Sequence, residues 1–153
     1  MNKYQELKKK QASELNKLPM KFAFSNEQFK KGMEELGLSE KDVEKVCGIG
    51  AGGFMKKEDV GSLHSMWKRH DEERKQAMDD DQDGSGYILD MFYYEMCNHE
   101  YGYTYDLTDT LNALGLTLAK IENDVKLKNG LMLAKKKIYR DDIDLTLIDD
   151  QGE

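Results

Sequence analysis

Apolar residues recur at helical spacing through most of the chain. Tyr4, Leu7, Leu15 and Leu18 mark the face of a first helix that Pro19 ends. Residues 20–24 are short and apolar and predict an extended link. Ser25, with Gln28 three positions on, makes a capping-box arrangement that opens a second helix, with Phe29, Met33 and Leu36 on one side and Gly37 closing it. Ser39 with Asp42 predicts a third, short helix carrying Val43, Val46 and Cys47 and closed by Gly48. Val60, Leu63, Trp67 and Met78 mark a long helix over about 58–78. Beyond an acidic loop, 87–99 is apolar on nearly every side, the pattern of a helix buried on most of its surface. Thr108 and Asp109 start a short helix ending at Gly115, and Asp124 caps a last one through Leu127, Leu131, Ala134 and Ile138. The expectation is an all-α fold, mostly short helices around one core, in a single helical domain over 1–140.

The chain end breaks the pattern. Ile143, Leu145 and Leu147 alternate with Asp144 and Thr146, which is strand periodicity. A short β segment is therefore expected at 20–24 or 143–148, while charged chain ends favour weak order, so 141–153 is read as a weakly ordered acidic tail.

Charge sharpens the picture. The 153 residues are 39% hydrophobic and 35% charged, with a net charge of −7 that speaks against a basic nucleic-acid-binding domain. The charges lie in blocks: +5 over 1–31, −10 over 71–110, +5 over 117–140, and six acids with no base over 141–153. Such blocks steer charged partners at low salt, and +5 on a terminal helix supports at most weak, salt-sensitive phosphate contact. No run approaches the roughly 18 to 20 apolar residues that cross a bilayer, and the N-terminus is too charged for a secretory signal. Cys47 and Cys97 stand in no metal or redox spacing, so a reduced, cytoplasmic setting is expected.

Four constellations could carry chemistry. The acidic loop after the long helix resembles an EF-hand, which needs alternating oxygen ligands and a glycine at the turn. One register uses Asp81, Asp83, Ser85, Gly86 and Ile88 but meets Phe92 at the twelfth position, where a bidentate Glu belongs. The other uses Asp79, Asp81 and Asp83, with Gly84 at the turn and Asp90 twelfth, but puts Gly86 where an apolar residue belongs. Either gives a weak Ca2+ site at best, and an acidic turn between two helices accounts for the same residues. Gly48-Ile49-Gly50-Ala51-Gly52-Gly53 is formally GxGxxG, but no strand precedes it and no helix directly follows, so glycines ending one helix explain it better. His64, His70 beside Asp71, and His99 beside Glu100 suggest a metal-dependent hydrolase only faintly. Glu95 and His99, at i and i+4, read instead as a hydrogen-bonded structural pair. Last come Tyr93, Tyr94, Tyr101, Tyr103 and Tyr105, followed by Asp106 and Asp109. Tyrosines beside acids suit an interface with a basic protein, and at least one of the alternating Tyr101, Tyr103 and Tyr105 should be exposed.

Several stretches are also familiar. Lys3-Tyr4-Gln5-Glu6-Leu7-Lys8-Lys9-Lys10-Gln11, Phe22-Ala23-Phe24-Ser25-Asn26-Glu27-Gln28-Phe29 and Gly48-Ile49-Gly50-Ala51-Gly52-Gly53-Phe54 resemble a family of small uncharacterised proteins. So do Gly86-Tyr87-Ile88-Leu89-Asp90-Met91-Phe92, Asn98-His99-Glu100-Tyr101-Gly102-Tyr103-Thr104 and Asp109-Thr110-Leu111-Asn112-Ala113-Leu114-Gly115. The resemblance covers most of the chain but not its acidic tail. It implies a setting in phages and mobile elements of gut Firmicutes, where small acidic proteins often serve as counter-defence factors, anti-CRISPR proteins among them. It transfers no functional residue.

The function expected from all this is non-enzymatic: an acidic protein-binding module that inhibits a nucleic-acid-handling host protein, such as a CRISPR effector nuclease, without a cofactor. Asp79, Asp80, Asp81 and Asp83 are its expected electrostatic contacts, and Tyr101 and Tyr103 its anchors. The rivals are a Ca2+ module on Asp79, Asp81, Asp83 and Asp90, and a hydrolase on His64, His70, Asp71 and His99.

Overall fold

The computed structural model describes residues 2–149. It is mostly helical, as expected, with one small sheet. The elements run α1 (Lys3–Leu15), β1 (Lys21–Phe22), α2 (Asn26–Glu35), β2 (Val46–Gly50), β3 (Gly53–Lys56), α3 (Val60–Asp80), α4 (Tyr87–Asn98), α5 (Tyr101–Thr104), α6 (Thr108–Leu114), α7 (Leu118–Glu122) and α8 (Val125–Asp149). Among the described residues no helix is long and apolar enough to cross a membrane.

Where one domain is expected over 1–140, contacts group the chain into two compact units. One is Met1–Lys8 with Arg74–Glu153, the other Lys9–Glu73. The physical reason is that the apolar side chains gather into two clusters, one around Phe92 and one around Phe54.

In the 9–73 unit, β1, β3 and β2 form an antiparallel sheet in that order, with Lys21 opposite Phe54 and Cys47 opposite Met55. The short β segment expected at 20–24 is thus present at Lys21–Phe22. The helix expected over 39–48 is not. Ser39 and Asp42 do bond to each other, the Ser39 N–H donating to Asp42 Oδ2 at 2.9 Å, but they cap no helix: only Val43–Lys45 follows as a 3₁₀ turn before the chain extends. The glycine run then serves a hairpin rather than a helix end. Ala51 and Gly52 form its two-residue loop at φ 51° and 77°, the mirror-image turn whose twist matches paired strands. Helix α2 is capped as read, Ser25 accepting the Gln28 N–H at 3.2 Å, and it seats Met33 and Leu36 on Phe54. Gly32 permits that approach: a Cβ there would stand 2.6 Å from the Phe54 ring.

In the other unit α4 is central, packed chiefly against α8 and α6. Tyr87, Ile88, Met91, Phe92 and Met96 meet Leu111, Ile121, Leu127, Leu131, Ala134 and Ile138, which explains why α4 is apolar all round. Asp124 caps α8 by accepting the N–H groups of Lys126 and Leu127 at 3.0 and 3.1 Å. The strand expected at 143–148 does not form, because α8 continues to Asp149. Extending an existing helix by a residue adds a hydrogen bond at little entropic cost, whereas an isolated strand has nothing to pair with. Of the expected tail, 141–149 therefore belongs to α8, and 150–153 lies outside the described residues.

Candidate functional site

The acidic loop joins α3 to α4, and its carboxylates are turned to local work. Asp81 Oδ1 accepts the Gly84 N–H at 3.0 Å, while Oδ2 accepts those of Gly86 and Ile88 at 3.1 and 2.9 Å. It thereby satisfies donors at the start of α4, which has no side-chain cap at Gly86 itself. Asp83 Oδ1 accepts both the Ser85 hydroxyl (2.5 Å) and the Ser85 N–H (2.9 Å), bonds that hold its carboxyl below the usual value. Asp90 Oδ2 takes the Lys3 N–H at the start of α1. A cation is present all the same: Lys126 Nζ donates to the carbonyls of Met78, Asp79 and Asp81 at 2.9, 3.2 and 2.8 Å. Those carbonyls end α3, where the helix dipole is negative. Asn129 adds a bond to the Asp83 carbonyl at 2.8 Å. Asp79, Asp81, Asp83 and Asp90 do not converge as a ligand group among the described residues. Asp79, Asp80 and Asp83 remain exposed, and Asp81 is half-buried.

The tyrosines divide sharply. Tyr101 is only 5% exposed and belongs to the core, so it cannot serve as the anchor the sequence suggests. Burial pushes its phenol pKa up. Tyr94 packs against Tyr4, and the Tyr93 hydroxyl donates to Asp141 Oδ2 at 2.5 Å under the Lys137 ammonium, 4.0 Å above its ring. Tyr103 is 91% exposed. Tyr105, also exposed, stacks on Tyr139 at 5.9 Å. The one-turn helix α5 that presents Tyr103 is bracketed by Glu100 at φ 58° and Tyr105 at φ 54°. A left-handed non-glycine residue costs on the order of 1–2 kcal/mol, so two within six residues make this the most strained stretch of the unit. The acidic loop precedes α4 and this turn follows it, some 17 Å apart along a 12-residue helix. The residues proposed from sequence as one contact surface therefore sit at opposite ends of α4.

Two further charge centres complete the inventory, the first buried and the second half-buried around a buried His70. Glu95, 3% exposed, accepts the Tyr4 hydroxyl at 2.7 Å and the Lys8 ammonium at 2.8 Å, and His99 Nε2 lies 3.4 Å away. Burial alone would raise the Glu95 pKa, but Lys8 and Tyr4 outweigh it and hold the carboxyl below the usual range. The Glu95–His99 pairing was legible as an i, i+4 spacing; Tyr4 and Lys8 were not, being about 90 residues away.

The second centre brings Glu14, His70 and Glu73 together, with one ligand-capable atom of each inside 4.8 Å. His70 Nε2 lies 2.7 Å from Glu14 Oε2, Arg69 bridges Glu14 (2.8 Å) to Glu73 (2.7 Å), and Lys10 adds a bond to Glu73 at 2.9 Å. Gln11 reaches Glu73 Oε2 and the His70 carbonyl, both at 3.1 Å. These three side chains could hold a divalent ion, but the two carboxylates already face two cations, so the cluster is balanced as an ion-pair network. The histidines read as a hydrolase set are employed separately: His64 stacks on Trp67, His70 bonds Glu14, His99 faces Glu95, and Asp71 lies exposed.

This network sets an acid limit on the 9–73 unit. Hydrogen bonds from Arg69 and then His70 hold the Glu14 pKa at about 2, and those from Lys10 and Gln11 hold Glu73 at about 2, against an ordinary 4.5. Folded values below unfolded ones mean stability fully present above about pH 4.5 and lost as pH falls toward 2. Fluorescence of Trp67, the single tryptophan, should report declining stability across that window. A Glu14→Gln, Glu73→Gln chain should be less stable at neutral pH and should lose less stability than the wild type between pH 4.5 and 2; an unchanged acid profile would contradict this.

With fold and sites in view, the chain belongs to a family of unknown function, DUF7659, whose pattern it matches over residues 3–137. Nothing among the curated proteins or the solved structures matches it.

Proposed function

We propose that this protein acts by binding another protein, not by catalysis, and that the turn carrying Tyr103 is its principal contact. The observation behind this is a large aromatic side chain held almost fully in solvent on a strained turn. Strain and exposure together are costs that packing does not explain, and tyrosine anchors dominate binding energy when a partner desolvates them. The −10 balance over 71–110, with Asp79, Asp80 and Asp83 exposed, suits a partner with a basic surface. The family resemblance sets the finer reading: inhibition of a nucleic-acid-handling host protein, such as a CRISPR effector nuclease, in the cytoplasm of a bacterial cell.

The test starts with affinity purification against purified CRISPR effectors at low and high salt, followed by titration of any effector retained. Tyr103→Ala should weaken binding about 30-fold or more, in the range of an interfacial hot spot. Reversing Asp79, Asp80 and Asp83 together should slow association at low salt and flatten its salt dependence. Equal affinity of wild type and Tyr103→Ala would overturn the assignment of the turn, and no retention of any effector would overturn the finer reading.

A further inference from the structure

The turn that presents Tyr103 carries unanswered charge beside its ring. Tyr101, buried in the core, roots it, and the Tyr103 and Tyr105 N–H groups donate to the Glu100 and Tyr101 carbonyls at 3.0 and 2.9 Å. Glu100, Tyr103 and Asp106 follow at steps of three, and all are exposed. Asp106 Oδ1 accepts the Thr108 hydroxyl and N–H at 2.7 and 2.9 Å. The Glu100 carboxylate and the Tyr103 ring have no partner among the described residues. Neighbouring charge is negative too. From 76 to 119 the chain holds nine acids and no Lys or Arg. Asp142 of α8 stands against Gly102, its oxygens 3.5 and 3.7 Å from where a Cβ would be. Arg140, two residues earlier, points about 160° away around that helix, and Lys137 is placed over the Tyr93 ring.

These neighbours decide what can cover Tyr103. Any surface that desolvates the ring also desolvates the carboxylates on either side of it. A buried carboxylate without a countercharge costs more than burial of the ring returns. An apolar pocket is therefore a poor fit, and the occupant must be cationic. Between the two cationic side chains the geometry favours arginine. A guanidinium is flat, so it stacks on a tyrosine face and in the same pose directs paired N–H donors at a carboxylate. An ammonium is a compact, strongly hydrated point charge and does one or the other. Main-chain bonds already hold ring and carboxylate on one turn, so little ordering remains to oppose the contact.

We infer that the Tyr103 turn is a receptor for an arginine side chain of the partner protein. The guanidinium lies on the Tyr103 ring and bonds to Glu100, while Asp106 and Asp142 add attraction from beside it. This rests on the reading of that turn as the principal contact and narrows the contact to one side chain. It also fits a partner that handles nucleic acid, since arginine is the side chain suited to holding phosphate.

Capped tetra-arginine and tetra-lysine peptides test it without any effector. The full chain, isotope-labelled, is titrated with each at the same low salt, and amide shifts in nuclear magnetic resonance spectra give both site and affinity. Tetra-arginine should bind with a dissociation constant below about 1 mM and about fivefold tighter than tetra-lysine, with Gly102, Tyr103 and Thr104 shifting most. Tyr103→Phe should keep that preference, because it keeps the ring. Tyr103→Ala should cut it below about twofold, and Glu100→Gln should weaken tetra-arginine about threefold or more. Absence of tetra-arginine binding, equal binding of the two peptides, or a preference that survives Tyr103→Ala would each overturn the arginine receptor. So would shifts centred on Asp79, Asp80 and Asp83 with the turn unmoved. An effector lost on Tyr103→Ala while the two peptides bind equally would leave the turn as the contact and remove arginine alone.

Discussion

A Gly84→Ala chain is expected to lose about 4 kcal/mol of unfolding free energy, the largest effect of any single methyl group in this protein. Two costs add. Gly84 sits at φ +86°, where a side chain costs about 1–2 kcal/mol. A Cβ there would also stand 2.1 Å from the Lys126 carbonyl oxygen and 2.9 Å from its carbon. Both atoms are backbone of α8, so no rotamer relieves the overlap and either the loop or the helix must move. Gly130 approaches from the other side, its own Cβ position 2.8 Å from the Gly84 oxygen and 2.5 Å from the Ile88 side chain. Gly115→Ala is the control. It shares the left-handed backbone at φ +64° but would meet nothing within 4 Å, so only the conformational cost of about 1–2 kcal/mol remains. Urea unfolding followed by far-ultraviolet circular dichroism compares the two. Equal losses would show that the loop does not sit against α8 as described.

Glu95→Ala should cost about 3 kcal/mol, since removing one member of a buried charged network strands the others. Lys8 is half exposed and returns to water, so its share is small. The Tyr4 hydroxyl stays in the core without its acceptor and accounts for much of the loss, together with the space the side chain leaves. Tyr4→Phe alone should cost about 1 kcal/mol, and the double variant should lose less than the sum, because the second change removes the stranded donor. The pH dependence carries its own sign. The folded Glu95 pKa lies below its ordinary 4.5, so its stabilisation is present above about pH 4.5 and fades as pH falls through the folded value. The penalty of Glu95→Ala should therefore shrink in acid; a penalty that grows there would mean that Glu95 is protonated in the native state.

How much of this was readable from sequence depended on how local the cause was. The caps of α2 and α8 are contacts three residues apart and were legible in Ser25 and Asp124. So was the buried character of α4, which needs only its own composition. The β2–β3 hairpin was missed because Val46, Cys47 and Ile49 suit a short helix as well as a strand, and the decision comes from Phe54 and Met55 pairing across the turn. Gly50-Ala51-Gly52-Gly53 was the available signal, a two-residue turn site read as a helix stop. The candidate sites failed in the same way. Nothing near Asp81 announces that Lys126, 45 residues on, supplies a cation, or that Tyr101 turns inward while Tyr103, two residues later, turns out.

The ammonium of Lys126 gives the α3–α4 turn a property that a metal-filled loop lacks. A bound ion leaves when its free concentration drops, and the loop's shape follows the medium. Here the positive charge is tethered to α8, so its local concentration is set by the fold and not by the surroundings. The turn is therefore expected to keep one shape in chelator and in calcium-rich buffer alike, a fixed strut where its sequence resembles a sensor.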